Sequence, residues 1–173
     1  MDLKATAIKA AKEAGKILLK LSEKKIQFEM KGSHDILAQA DSASDKKIKS
    51  IILENFPDHD IHSEEGDIHN HSDYLWAIDP LDGTINYSRK IDDYCVSIAV
   101  EHKGEIIIGV IYEPYCNHLF VAEKEKGAFM NNKRISVSKE DKMINMLLAT
   151  DNSTSHMKFR IKNYTILKNI CHE

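Results

Sequence analysis

Between Cys95 and Ser138 the sequence carries β-rich runs in quick succession: CVSIAVEH, EIIIGVIY, HLFVAE, GAFMNN and RISVS. Each concentrates β-branched and aromatic residues, and the turn-like pair Lys103-Gly104 joins the first two. The gaps are too short for crossover helices, so neighbouring runs must pair mostly antiparallel. MINMLLATD, Met143 to Asp151, reads as one more strand.

Ahead of these runs lie two helical patterns. Leu3, Ala7, Ala10, Ala14, Leu18 and Leu21 recur at helical spacing, with Asp2 placed to cap them. Gly15-Lys16 lacks the upstream glycine of a phosphate loop and is read as helix surface. A short strand is expected from Ile26 to Met30, then a turn at Gly32-Ser33. A second helix is expected after Asp41, with Ile48, Ile51, Ile52 and Phe56 on one face and Pro57 beyond its end. Near the C-terminus, Phe159, Tyr164, Leu167 and Cys171 suggest an amphipathic helix. Helices followed by a run of strands give an α+β class, with the helices covering one face of a mostly antiparallel sheet.

The chain has 173 residues, 42% hydrophobic and 29% charged, with a net charge of -3, which is ordinary for a globular domain. No basic block interleaved with aromatics points to nucleic acid, and no apolar run reaches membrane-spanning length. The N-terminal segment threads Lys and Glu through its apolar positions, unlike a signal peptide, and Cys95, Cys116 and Cys171 show no disulfide framework. A cytoplasmic setting is the expectation. Arginine is confined to Arg89, Arg134 and Arg160, so a phosphate ligand would rely on metal ions or backbone N–H groups.

WAIDPLDGTINY, residues 76–87, is the chemically pointed stretch. An apolar run drives into Asp79 and Asp82, and unpaired buried carboxylates are expensive. With Asp41 and the pair Glu64-Glu65 they make a set of hard oxygen donors of the kind Mg²⁺ requires. Pro80 would stiffen a turn that returns Asp82 to the side of Asp79, leaving the Leu81 carbonyl free for a metal. Gly83 allows close approach, and the N–H groups of Gly83 and Thr84 can donate to a phosphate. Each piece also has a plainer reading. Asp79 to Gly83 can be a turn after a strand, Glu64 to Asp67 a solvated loop, and Asp41 a helix N-cap. His59, His62, His69 and His71 match no common zinc spacing. Cys95, Ser97 and Thr84 have no histidine nearby in sequence, which argues against a covalent nucleophile.

WAIDPLDGTINY, followed by VSIAVEHKGEIIIGVIYEP and GAFMNNKRISVS, closely resembles the inositol monophosphatase family. SEEGD and DILAQAD resemble two further elements of that family upstream. The resemblance implies the N-terminal part of a layered αβαβα sugar-phosphatase fold. It also implies Mg²⁺-dependent, lithium-sensitive hydrolysis of a small phosphomonoester by activated water, with a homodimer as assembly. Inositol monophosphate is the first substrate expected. Bisphosphate nucleotides and fructose 1,6-bisphosphate are alternatives, and a non-catalytic metal-binding or interaction protein is a further one.

Carried over by motif, Glu64, Asp79 and the Leu81 carbonyl would hold one Mg²⁺, Asp79 and Asp82 a second, and Glu64 a third more loosely. Thr84 and Asp41 would position the attacking water, making Thr84, Asp41 and Glu64 the catalytic group. Leu81, Asp82, Gly83 and Thr84 would line the phosphate. Glu64, Asp79 and Asp82 should then converge within a few ångströms of a shared point bordered by Thr84. Ala40, Ile91-Asp92-Asp93 and Tyr87 depart from the family pattern. The family continues into a second α/β domain with a G-x-W-D-x-A-A-G element, which these residues do not contain. The expected division is a metal-binding domain over 1–155, with 156–173 starting the connection onward. Without the distant aspartate, one metal should bind weakly and Met146, Leu148 and Leu167 should be exposed.

Overall fold

The computed structural model describes residues 2–23, 33–142 and 145. Helix α1 spans Leu3–Ser22 and α2 Ser33–Asn55; strand β1 spans Asp60–Ser63 and β2 Tyr74–Asp82. A short helix α3, Thr84–Ser88, precedes β3 (Cys95–His102), β4 (Glu105–Glu113), β5 (His118–Glu123), β6 (Gly127–Met130) and β7 (Lys133–Ile135). The strands form one seven-stranded sheet in sequential order. Among the described residues only the β1–β2 pair is parallel, and every later pair is antiparallel. The expected α+β arrangement is what the chain adopts.

The local causes are plain at α1. Asp2 caps it, its Oδ1 accepting from the Ala5 N–H at 2.6 Å, and the small residues Ala7, Ala10, Ala11 and Ala14 let the helix approach the sheet closely. Helix α1 packs on β3 and β4, and α2 packs on β2. The sheet answers with Trp76, Ile78, Val96, Ile98, Val100, Val110 and Tyr112, all buried. At the β3–β4 hairpin, Lys103 (φ 54°) and Gly104 (φ 83°) adopt the left-handed conformation that primed two-residue turns require.

Several expectations are corrected. Helix α2 begins at Ser33 rather than after Asp41, so Asp41 lies inside the helix and is no N-cap. Leu37, Ala40, Ser44, Ile48 and Ile51/Ile52 continue one buried stripe through the junction, and tertiary burial carries the helix past the capping-like Asp41-Ser42. Gly15 is buried, not surface: a Cβ there would stand 2.6 Å from Tyr112 Cε1 and 3.1 Å from Pro114 Cβ. Only Lys133–Ile135 of the last β-rich run pairs, and Val137 is exposed. β1 and α3 were not expected.

The chain divides into two units, Met1–Ile135 and Ser136–Glu173. The expected strands at Ile26–Met30 and Met143–Asp151, the C-terminal helix, the boundary at 155 and the exposure of Met146, Leu148 and Leu167 lie outside the described residues. Among the described residues no helix is long and apolar enough to cross a membrane.

Candidate active site

In an unbroken strand, residues three apart point to opposite faces. Asp79 and Asp82 avoid this through a register shift within β2: Asp79 pairs with Ser97 and Asp82 with Cys95. Ser97 and Cys95 are two apart and share a face, so the extra residue in β2 brings both aspartates to that face. Pro80 sits at this bulge, where its missing N–H breaks no ladder bond, and the Ser44 hydroxyl of α2 donates to its carbonyl at 2.8 Å. The segment is therefore a bulged strand rather than the turn its dipeptides suggested.

Parallel pairing supplies the neighbours. Ser63 of β1 stands opposite Ile78, so the chain leaves β1 into Glu64 beside the strand that continues into Asp79. That departure is anchored: Ser63 Oγ donates to Asp45 Oδ1 (2.5 Å), and the Ser63 N–H donates to Asp67 Oδ1 (3.1 Å). Lys49 reaches Asp45 Oδ2 and the Gly66 carbonyl, each at 2.7 Å.

Electrostatically this corner is a concentration of like charge. Burial, followed by the fields of Glu65, Glu64, Asp79 and Asp45, pushes the Asp41 carboxyl up to about 6. Its Oδ1 is buried with no hydrogen-bond partner. Burial also raises Asp79, with Asp82 and Glu64 adding to the rise, while the Leu81 N–H donating to Asp79 Oδ1 at 3.1 Å opposes it. The donors are all oxygen, one buried oxygen is orphaned, and Lys49 is committed to Asp45, so a hard divalent cation fits. Among the described residues these carboxylates do not form a set whose ligand atoms all lie within 4.8 Å of one another.

The Asp82–Thr84 turn completes the corner. Gly83 has φ 90°, and a Cβ there would stand 2.9 Å from the Asp93 carbonyl oxygen, so both conformation and space demand glycine. Thr84 Oγ1 donates to the Leu81 carbonyl at 3.1 Å, which leaves its lone pairs to accept a hydrogen bond from elsewhere. Tyr87 is buried and its hydroxyl donates to the Leu18 carbonyl at 2.8 Å, anchoring α3 to α1. Cys95 is no nucleophile: burial and the adjacent Asp82 push its thiol up to about 12. The histidines belong to separate surroundings. His59 stacks between Phe56 and Tyr74, whereas His62 and His69 face Asp67.

Sequence reasoning missed Asp45, Ser63 and Ser44, which hold this corner together. The only signal for them was Asp41–Asp45 spacing on a helix whose start had been misplaced.

The sequence profile of the inositol monophosphatase family matches residues 2–171, and the chain belongs to that family. It is 33% identical over 168 residues to the Nus factor SuhB of Pasteurella multocida, covering 95% of this chain and 63% of that one. To an inositol monophosphatase of Mesembryanthemum crystallinum it is 34% identical over 162 residues, 91% of this chain and 60% of that one. The crystal structure of the extragenic suppressor protein suhB from Bartonella henselae superposes with a TM-score of 0.74 at 33% identity, covering 82% of this chain and 56% of that one. The chain thus spans less than two thirds of the length of these relatives.

Proposed function

We propose that this chain is the metal-holding part of a Mg²⁺-dependent phosphatase acting on a small phosphomonoester, with inositol monophosphate as its first substrate. The observation that carries the reading is the crowding of Asp41, Glu64, Asp79 and Asp82 at one corner, with a buried Asp41 oxygen left unpartnered. Glu64, Asp79, the Leu81 carbonyl and Asp82 are the groups that would hold Mg²⁺. Bound there, the ion supplies Lewis-acid polarisation of the phosphoryl group and an acidified water.

The chain's own residues do the rest. Thr84 Oγ1, its O–H directed at the Leu81 carbonyl, accepts a hydrogen bond from the attacking water, and Asp41 orients that water from α2. The Gly83 and Thr84 N–H groups receive the phosphate oxygens at the turn. Glu64 aligns with Asp79 because β1 and β2 run the same way. Asn86-Tyr87 after the motif favours an inositol phosphate over a bisphosphate nucleotide; fructose 1,6-bisphosphate is a third candidate. We carry over from the family a homodimer, lithium sensitivity and a cytoplasmic location.

A second reading, a non-catalytic protein that binds partners, draws on the name Nus factor carried by a relative. Phosphate release from inositol monophosphate, fructose 1,6-bisphosphate and a 3'-phosphoadenosine phosphate separates the two. It should be measured with and without Mg²⁺, on this chain and on a chain extended through a G-x-W-D-x-A-A-G element. The extended chain should turn over inositol monophosphate only with Mg²⁺ and be inhibited by Li⁺, while the 173-residue chain stays close to inactive. Robust turnover by the short chain would show the distant aspartate dispensable. No turnover by the extended chain would favour the second reading.

A further inference from the structure

A different donor set lies at the β4–β5 connection. Glu113 ends β4, His118 opens β5, and the two are directly opposed in register. Cys116 sits in the turn between them. One ligand atom from each of Glu113, Cys116 and His118 lies within 4.8 Å of the other two. Glu113 Oε2 is already 3.0 Å from His118 Nδ1. Donors sharing a tetrahedral ion at about 2.0–2.3 Å stand about 3.3–3.6 Å apart. The carboxylate and imidazole therefore need to part by only a few tenths of an ångström. The remaining closure falls to the exposed Cys116, whose side chain is free to turn.

The backbone between these donors is held in place. Asn117 adopts φ 52°. Its side-chain oxygen accepts from the Tyr112 hydroxyl at 3.1 Å, and its carbonyl accepts from Asn131 Nδ2 at 3.2 Å. Asn131 is itself fixed, its Oδ1 accepting from the Leu119 N–H at 2.9 Å. The turn carrying Cys116 is thus braced from β4 on one side and from the β6–β7 connection on the other. Little conformational freedom remains to be lost on binding an ion.

We propose that Glu113, Cys116 and His118 form a binding site for a zinc-class divalent cation. Thiolate, imidazole and carboxylate together suit a borderline-soft ion and not Mg²⁺, which prefers oxygen donors throughout. Three protein donors leave a fourth position to water. The site lies at the same end of the sheet as the acidic corner: Asp82 pairs with Cys95, the adjoining Val96 with Tyr112, and Glu113 beyond it with His118. Its donors nonetheless come from other strands, and its chemistry selects another metal.

The test is a Co²⁺ titration of the reduced 173-residue chain, followed by Zn²⁺ competition. One equivalent of Co²⁺ should bring thiolate-to-cobalt charge-transfer absorption and tetrahedral d–d bands. Stoichiometric Zn²⁺ should remove both, and excess Mg²⁺ should leave them. Cys116→Ser should abolish the charge-transfer band while Cys95→Ser preserves it. His118→Gln and Glu113→Gln should each weaken Co²⁺ by more than about tenfold, the lesser loss seen on removing an outer-shell partner. Far-ultraviolet circular dichroism verifies that each variant is folded, and these exposed or half-exposed positions should tolerate substitution. Three results overturn the proposal: Co²⁺ binding without a thiolate band, a band that survives Cys116→Ser, or affinity that follows Asp79→Asn instead of Cys116→Ser.

Discussion

On the side of the sheet toward α1 and α2, Trp76, Ile78, Val96, Ile98, Val100 and Val110 are buried. Their alternates on the same strands are Ala77, Asp79, Ser97, Ala99 and Gly109, all half-buried or exposed. The covered side is filled with large branched and aromatic groups and behaves as an ordinary protein interior. The open side carries the small residues Ala77, Ser97, Ala99 and Gly109 beside the larger Ile111 and Phe120, and at its end Asp79, Asp82, Cys95, Glu113 and His118 collect. The apolar core lies on one side of the sheet and most of the candidate ligands lie on the other, with Asp41 reaching the corner from α2. Substitutions should accordingly divide into those that unfold the chain and those that change what it binds.

The largest effect should come from the covered side. Trp76 is fully buried and its indole N–H donates to His59 Nδ1 at 3.0 Å. Trp76→Ala should lower unfolding stability by about 3–5 kcal/mol, read as a lower urea midpoint at unchanged slope. On the open side, Asp79→Asn should leave the metal-free midpoint unchanged or raised, because it removes a charge crowded by Asp82 and Glu64. What it should abolish is the Mg²⁺-dependent rise in midpoint, about 2.7 kcal/mol at a hundredfold excess over the dissociation constant. A loss of metal-free stability in Asp79→Asn comparable to that of Trp76→Ala would erase the distinction between the faces.

Gly15→Ala tests how tightly α1 sits on the covered side. Overpacking against Tyr112 should destabilise by about 1–3 kcal/mol. The better helix propensity of alanine offsets up to about 1 kcal/mol. An unchanged melting temperature would mean that the helix can lift off the sheet without penalty. The smallest effect concerns pH. Burial lowers the His59 imidazole below its ordinary value of 6.5, and its Nδ1 accepts from Trp76, so the ring is neutral when folded. Below pH 6.5 the unfolded chain takes up this proton before the folded one does, so stability should fall as pH falls through that value. His59→Gln should flatten the melting temperature between pH 7 and pH 5. A steeper dependence in the variant would contradict the assignment.

The parts of this architecture visible in the sequence were those written in local period. The β-branched and aromatic content of CVSIAVEH and EIIIGVIY announced β3 and β4, and the Ala/Leu spacing behind Asp2 announced α1. What stayed hidden depended on partners far along the chain. The depth of Gly15 is set by Tyr112, and the true start of α2 by a stripe that opens on half-buried Leu37 and the small residues Ala40 and Ser44. The acidic corner was half legible. Its carboxylates were identifiable by chemistry and by family motif, but Ser63 and Asp45 became visible only through the β1–β2 pairing and the helix above it. Glu113, Cys116 and His118 are unremarkable in line and become a cluster only when the hairpin folds.

The bulge at Pro80 makes β2 a ribbon with two sides whose phase is counted in residues. Substituting one residue alters one contact, whereas deleting one between Asp79 and Asp82 would erase the bulge itself. The two aspartates would then stand two apart on an unbroken strand, still on one side and still in step with Ser97 and Cys95. What the shortened ribbon would give up is backbone: the carbonyls of Pro80 and Leu81, which now accept from Ser44 and Thr84, could not both remain. The extra residue thus serves the main chain of the corner, and its carboxylates share a side with it or without it.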